Sequence, residues 1–558
     1  MTKQLITSWQ RLINLLRMER KDVLQILYYA IFAGGLSLIL PLGIQAIINL
    51  IQGAQVSTSW IVLVVLVTLS VAFTGTLQLM QLRIVENLQQ KIFTKSSIEF
   101  AYRFPKIKMS ELHNYYPPEL ANRFFDTLMV QKGVSKLLLD IPASLLQIIF
   151  GLLLLSFYHP FFIIYGLFLI ILIYLVFKFT ITRGLETSLL ESKYKYKVAH
   201  WIQEIARSII SFKLSGKTSL ALQKNDVLVK DYLSARENHF RILVIQYIQM
   251  IGFKVLVTAG LLLIGGLLVL NQQMNIGQFV AAEIIILLVI GSVEKLIISL
   301  ETMYDVLTSL EKIGQVVDKD LESQIGEKPF KENECFKISL EKVCYTTPKR
   351  DYPILSDISF VVEPKSSLLI QGASGAGKST LLRIIAGVLE PSRGDIYIND
   401  VSLKGIYLNH YRAQIGHSLS GETPFEGTIL ENITFGDAAI SEETVNWAVG
   451  KTGLREFVKH QPKGIKTMIY PEGKQISETV AKKILLARAI VKKPSLLILE
   501  DALEQFDTEE ANKIIDFILD KNNKWTLIVV GEQKHWREKC ERIIELENGN
   551  LIKDSRHA

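Results

Sequence analysis

An all-α membrane domain of six helices, followed by a cytosolic α/β domain, is the fold this sequence predicts. Three observations lead to it. Six long apolar stretches fill the first half. Lys and Arg gather on one side of those stretches. After about residue 320 the pattern changes to short β-branched runs alternating with helical stretches. The chain of 558 residues is 49% hydrophobic and 21% charged, with a mean hydropathy of +0.27. That composition excludes a disordered or collagen-like chain and points to lipid. The three cysteines, Cys335, Cys344 and Cys540, exclude a disulfide scaffold and have no metal-ligand spacing.

The apolar stretches fall at about 23–51, 59–82, 141–158, 160–180, 250–270 and 277–299. A helix needs about 20 apolar residues to cross a hydrocarbon core of about 30 Å, and most of these reach that length. The connections at 52–58, at His159–Pro160 and at Asn271–Ile276 contain no Lys or Arg. The long connections at about 83–140 and 178–254 are rich in both, the second including Lys193, Lys197, Arg207, Lys224 and Arg236. By the positive-inside rule, the N-terminus, both long loops and everything after residue 300 are cytosolic. This distribution accounts for the net charge of +7, so the expected surface partner is the lipid bilayer and not nucleic acid.

Residues 1–22 read as an amphipathic N-terminal helix. Leu5, Trp9, Leu12 and Leu16 lie at helical spacing, flanked by Arg11, Arg17, Arg20 and Lys21. Such a helix lies on the membrane surface or docks on protein. It lacks the continuous apolar core and cleavage site of a signal peptide. The transmembrane domain then spans 23–317. In its long loops, Tyr115–Asp126 and Ile202–Lys217 are candidate contacts with the cytosolic domain. Ionisable residues also enter the spans. Glu283 could bind substrate or a proton, or sit at interfacial depth. Glu294, Lys295 and Lys254 read as interfacial charges.

Residues 318–334 are polar, contain Gly326 and Pro329, and read as a linker. The cytosolic domain spans 335–558. Its apolar runs Ser367–Gln371, Ser495–Leu499 and Trp525–Val530 suit buried parallel strands. The sharpest motif is GASGAGKS, at Gly372, Ala373, Ser374, Gly375, Ala376, Gly377, Lys378 and Ser379, with Thr380 next. It follows an apolar strand and opens a helical pattern, the context a P-loop requires. The glycines let backbone N–H groups approach phosphates. Lys378 supplies a charge near the β- and γ-phosphates, and Ser379 offers a hydroxyl to Mg²⁺. LLILED at 496–501 is an apolar strand ending in acids, the second carboxylate element of an ATP–Mg²⁺ site.

P-loop, acid-ended strand and six spans in one chain resemble an ABC exporter half-transporter over essentially the whole length. LLARAI at 485–490 resembles the helix after that family's signature sequence. GTILENI at 427–433 matches the stretch after its Q-loop. ELANRF at 119–124 resembles the first cytosolic loop of type I secretion exporters. The resemblance implies a homo- or heterodimer with a second half-transporter, in a bacterial cytoplasmic (inner) membrane. Two ATPs would lie between one chain's P-loop and the other's signature. A periplasmic adaptor is a further implied partner.

Against the family pattern the sequence departs consistently. The signature LSGGQ is replaced by Ile476, Ser477, Glu478, Thr479 and Val480. Both glycines are lost, and Glu478 brings a negative charge towards a polyanion. The Asp-Glu pair is inverted, so Glu500 takes the Mg²⁺-ligand position and Asp501 the base position. The Q-loop glutamine aligns with Ser420 and the switch histidine with Glu532. The D-loop reads EQFD at 504–507. The adenine-stacking aromatic aligns with Thr347, with Tyr345 or Tyr352 as substitutes. A positioned base contributes about 10²–10⁴ in rate and a phosphate-stabilising donor about 10²–10³. These groups act as a unit, so the factors do not simply multiply. The expectation is a subunit that binds ATP and exports a substrate with weak intrinsic hydrolysis. The alternative is a non-hydrolysing, ATP-gated scaffold or regulatory subunit of a partner transporter.

Overall fold

Helices far longer than a membrane is thick dominate the first half. The computed structural model describes residues 7–52, 58–331, 334–347 and 352–556. The chain divides into two units, Met1–Ile107 with Asn114–Asp320, and Lys108–His113 with Leu321–Ala558.

In the first unit the helix Thr58–Arg103 has 46 residues, Phe161–Arg207 has 47 and Leu220–Leu270 has 51. At about 1.5 Å per residue they are roughly 70–77 Å long, more than twice the hydrocarbon thickness. Each is apolar at one end and charged at the other, so one continuous helix supplies both a span and a cytosolic extension. Among the described residues five helical segments are long and apolar enough to cross a membrane: Arg20–Gln52, Thr58–Lys106, Pro117–Ser156, Leu220–Leu270 and Ile276–Val317. The sixth expected span falls in Phe161–Arg207. Its described apolar portion is Phe161–Tyr174, and the side chains of 175–177 and 179–182 lie outside the described residues.

The interior of this unit is built on Ile276–Val317, which buries Ile285, Ile286 and Val289 against Leu155, Phe162 and Met250. Small residues permit close helix approach, as expected without a hydrophobic drive between helices in lipid. A side chain at Gly184 would overlap the Tyr304 ring. Large apolar residues such as Ile164, Leu263 and Leu267 face outward. Lys254 and Glu294 pair at 2.6 Å, so these two charges, one on the fifth span and one on the sixth, neutralise each other. Glu283 is half-buried and makes no ion pair among the described residues.

The N-terminal helix is Ser8–Met18, opened by a capping box between Thr7 and Gln10. It docks on protein. Leu12 is buried, Arg11 pairs with Asp318 at 2.6 Å, and Ser8 Oγ donates to Glu311 Oε2 at 3.0 Å. Leu5 lies outside the described residues.

Among its described residues the second unit has twelve strands: β1 Ile338–Tyr345, β2 Leu355–Val362, β3 Ser367–Gly372, β4 Arg393–Ile398, β5 Val401–Ser402, β6 Ile415–Ser418, β7 Gly427–Thr428, β8 Met468–Ile469, β9 Leu496–Glu500, β10 Thr526–Val530, β11 Arg542–Glu547 and β12 Asn550–Arg556. A six-stranded sheet has the order β12-β11-β3-β10-β9-β6 and is parallel except at the β11–β12 edge. β3, β9 and β10 are almost wholly buried, as their continuous apolar runs require. An antiparallel sheet, β2-β1-β4-β5, packs its buried face into the same core as β3. Residues just after Asp320 are bound to this unit. Glu327 N donates to Gly405 O and Glu327 O accepts from Tyr407 N, each at 2.9 Å, and Arg412 pairs with Glu322. The short helix Met109–Leu112 also belongs here, and His113 Nε2 lies 3.2 Å from the Tyr345 hydroxyl. The stretch Tyr115–Asp126 belongs to the first unit, where Leu120 and Arg123 are buried.

Candidate functional site

Parallel strands end together, and ligands bind beyond their carboxyl ends. Val530 of β10 aligns with Ile370 of β3 on one side and Glu500 of β9 on the other. The P-loop leaves β3 at Gly372 and enters the helix Lys378–Ile385 at Gly377. Gly372 has φ 144°, and a Cβ there would overlap the Leu546 carbonyl oxygen. Gly377 caps the helix with φ 98°, and a Cβ there would come within 2.7 Å of Leu355 Cδ2. Only glycine meets both demands. Ala373, Ser374 and Gly375 form the exposed rim of the loop, Ala376 is buried, and Ser379 and Thr380 are half-buried in the first helical turn. Lys378 folds over the loop, donating from Nζ to Gly372 O at 2.5 Å and Ala373 O at 3.0 Å.

Glu500 ends β9 and is 2% exposed. Its Oε2 accepts from the Ser420 backbone N–H at 2.9 Å. The residue aligned with the Q-loop glutamine therefore supports the carboxylate through its backbone, with its side chain exposed. Asp501 follows in a left-handed conformation, φ 48°, its N–H held by Val530 O at 3.0 Å. That turn leaves its carboxyl beside that of Glu504. Burial pushes the Asp501 carboxyl up, reinforced by the charge of Glu500 and opposed by the Glu504 carboxyl and by Lys378 and Lys482. Glu504 is raised as well, by burial first, then by Asp501 and by Glu532. Glu532 is exposed just beyond the end of β10. The base and switch positions thus share one acidic cluster that two lysines offset in part. Glu504 and Lys482 were not singled out from sequence. Glu504 stood in view as the first residue of EQFD, but only the Asp501 turn shows that it meets Asp501.

The signature position is organised differently. Ser477 caps the helix Glu478–Val491, its Oγ accepting from Val480 N at 3.3 Å. Glu478 occupies the exposed first turn, where an acid suits the helix dipole and competes with any anion for it. Thr479 Oγ1 donates to Gln505 O at 3.1 Å, tying the signature to the EQFD turn. Ile476 is half-buried against the core. Among the described residues no hydrogen bond or ion pair joins this segment to the P-loop. Of the aromatics considered for adenine, Tyr345 is buried with its hydroxyl towards His113 and presents no open ring face. Tyr352 is 65% exposed.

Exposed loop N–H groups, a lysine over the phosphate position, a helical hydroxyl at Ser379 and the buried carboxylate of Glu500 together fit a nucleotide and its magnesium ion. The profile of the ABC transporter family matches residues 355–504, and that of the ABC transporter transmembrane region matches residues 23–293. Together they cover about three quarters of the chain. The chain belongs to the ABC transporter family. It joins an ABC transporter transmembrane region to an ABC transporter ATP-binding domain in one chain. Among curated relatives it is 27% identical over 256 residues to an ATP-dependent lipid A-core flippase of Bordetella avium, covering 46% of this chain and 43% of that one. It is 31% identical over 252 residues to the corresponding protein of Coxiella burnetii, covering 45% and 43%. This ABC transporter therefore aligns with less than half the length of these relatives. Its fold matches a bacterial Atm1-family ABC exporter with ATP bound, with a TM-score of 0.84, 17% identity, and coverage of 96% of this chain and 95% of that one.

Proposed function

We propose that this ABC transporter subunit binds ATP at its P-loop, dimerises with a second half-transporter, and exports a substrate with slow intrinsic hydrolysis. The observation that carries the reading is the pairing of Asp501 with Glu504 beside an intact P-loop. A base must accept a proton from water. Asp501 instead lies beside a second carboxyl, Glu504, and the switch position adds a third acid, Glu532. Negative charge thus collects where a histidine would assist a polyanion.

Ser379 and Glu500 would hold Mg²⁺, which neutralises phosphate oxygens when bound. Lys378 would leave its two carbonyl partners for the β- and γ-phosphates. Ser477 and Glu478 would face the partner's nucleotide, and the acid weakens that contact. ATP binding draws the nucleotide domains together and shifts the membrane helices between two states by differential affinity. The placement of Lys and Arg supports a cytoplasmic (inner) membrane protein with its N-terminus and nucleotide domain in the cytosol. A non-hydrolysing scaffold or regulatory subunit is the second reading. It is favoured by Ser477, whose hydroxyl is engaged as a helix cap.

Restoring the family residues tests the proposal. Glu478→Gly with Thr479→Gly, Glu504→Ser and Glu532→His in one chain should raise ATP turnover by about 10²–10³, the worth of a phosphate-stabilising donor set. Turnover unchanged in a chain that still binds ATP would contradict it.

A further inference from the structure

A basic pocket within the first unit has no role in the nucleotide site. Its volume is about 550 Å³, in the range of small-molecule sites. It lies between the segment around Arg123, the cytosolic parts of Phe161–Arg207 and Leu220–Leu270, and the end of Ile276–Val317. Five cations line it, Arg123, Lys193, Lys197, Lys224 and Lys312, against the acids Glu119 and Glu204.

Two of the cations are built into the wall. Arg123 and Lys312 are each 7% exposed. The Arg123 guanidinium lies 3.6 Å above the Tyr196 ring, and the Lys312 ammonium is 5.3 Å from the same ring. Their local compensation is incomplete. Asp126 accepts the Tyr196 hydroxyl. Glu119 is divided between Arg123 Nη2 at 3.5 Å and His200 Nδ1 at 3.0 Å. Glu204 is engaged by Arg207 at 2.6 Å. Arg123 Nε and Nη1 are buried without an acceptor. Leaving that buried guanidinium edge without an acceptor is costly unless a ligand meets it. Lys193, Lys197 and Lys224 are exposed at the mouth, where they can close over a charged ligand.

We infer that this pocket binds a soluble, phosphate-bearing anion, with Arg123 and Lys312 at its base and Lys193, Lys197 and Lys224 at its mouth. Depth separates such a ligand from a lipid headgroup. Lys312 follows the apolar run ending at Ser299 by about 20 Å of helix, and Lys224 precedes the run starting at Met250 by about 39 Å. Headgroups extend only about 5–8 Å beyond the hydrocarbon.

Pyrophosphate is the probe. It is titrated calorimetrically into the full-length chain in neutral-lipid nanodiscs, in a Lys378→Ala background that weakens the P-loop. Saturable binding is expected. It should weaken at least about tenfold in Lys197→Gln/Lys224→Gln, whose side chains are exposed and lie over the Tyr194 and Trp201 rings, and in Arg123→Gln. Nanodiscs containing phosphatidylglycerol should leave the affinity unchanged. No saturable binding, as when a second copy of the chain fills the pocket, overturns the inference. So does a double-lysine variant that binds like its parent, or competition by the anionic lipid.

Discussion

Removing the P-loop lysine has a magnitude that the structure sets in two opposing parts. In Lys378→Ala, ATP loses a cation next to its phosphates. One charge pair at about 4 Å is worth about 4 kcal/mol at the effective dielectric of a protein surface. Lys378 is not idle before ATP arrives, since its ammonium holds Gly372 O and Ala373 O. Leaving those bonds offsets the gain by about 1 kcal/mol each. The net loss is about 2 kcal/mol, which weakens ATP binding by about thirtyfold. The assay is equilibrium binding of ATP to the full chain in nanodiscs at fixed magnesium. Binding within about threefold of the parent would refute the reasoning, because Lys378 would then contribute nothing beyond the two bonds it gives up.

Two further outcomes follow from the same domain. Gly372→Ala places a Cβ against the Leu546 carbonyl in a backbone conformation that side chains rarely adopt. It should cost about 1–3 kcal/mol of stability, read as a lower thermal midpoint without nucleotide, whereas Gly375→Ala, whose Cβ meets open space, should lower it less. Asp501 and Glu504 are both raised from their ordinary values, by burial first. The folded state therefore holds their protons more tightly than the unfolded state, and stability falls as pH rises from about 4 through the raised values. Glu504→Gln should flatten that fall and raise the thermal midpoint at pH 7. A midpoint lower than the parent's would contradict the repulsion assigned to the pair.

What sequence reading could reach follows from how local each signal is. The P-loop was legible because its glycine spacing, flanking strand and following helix are contiguous. The spans were legible as apolar runs, but their ends were not. Thr58–Arg103 and Leu220–Leu270 continue as helix well past the last apolar residue, and only charge changes there. The N-terminal helix showed its apolar stripe but not what covers it, since Arg11 meets Asp318 across nearly the whole first unit. Tyr345 could be placed near the adenine position by alignment, yet the side to which its ring turns is decided by packing with His113. Asp501 and Glu504 meet through one left-handed residue that no propensity marks. The basic pocket draws Arg123, Lys224 and Lys312 from three distant segments, so it is invisible until the helices are assembled.

The central claim is that this ABC transporter subunit holds ATP but hydrolyses it slowly. Single-chain ATP turnover in lipid nanodiscs, with nucleotide binding measured on the same sample and Lys378→Ala as control, tests it most directly. The account predicts binding that the control weakens, with turnover well below about 1 s⁻¹, the low end of typical enzymes. Turnover of about 1 s⁻¹ or more that Lys378→Ala abolishes would contradict it, and would make Glu500 and Asp501 a competent catalytic pair despite their inverted order.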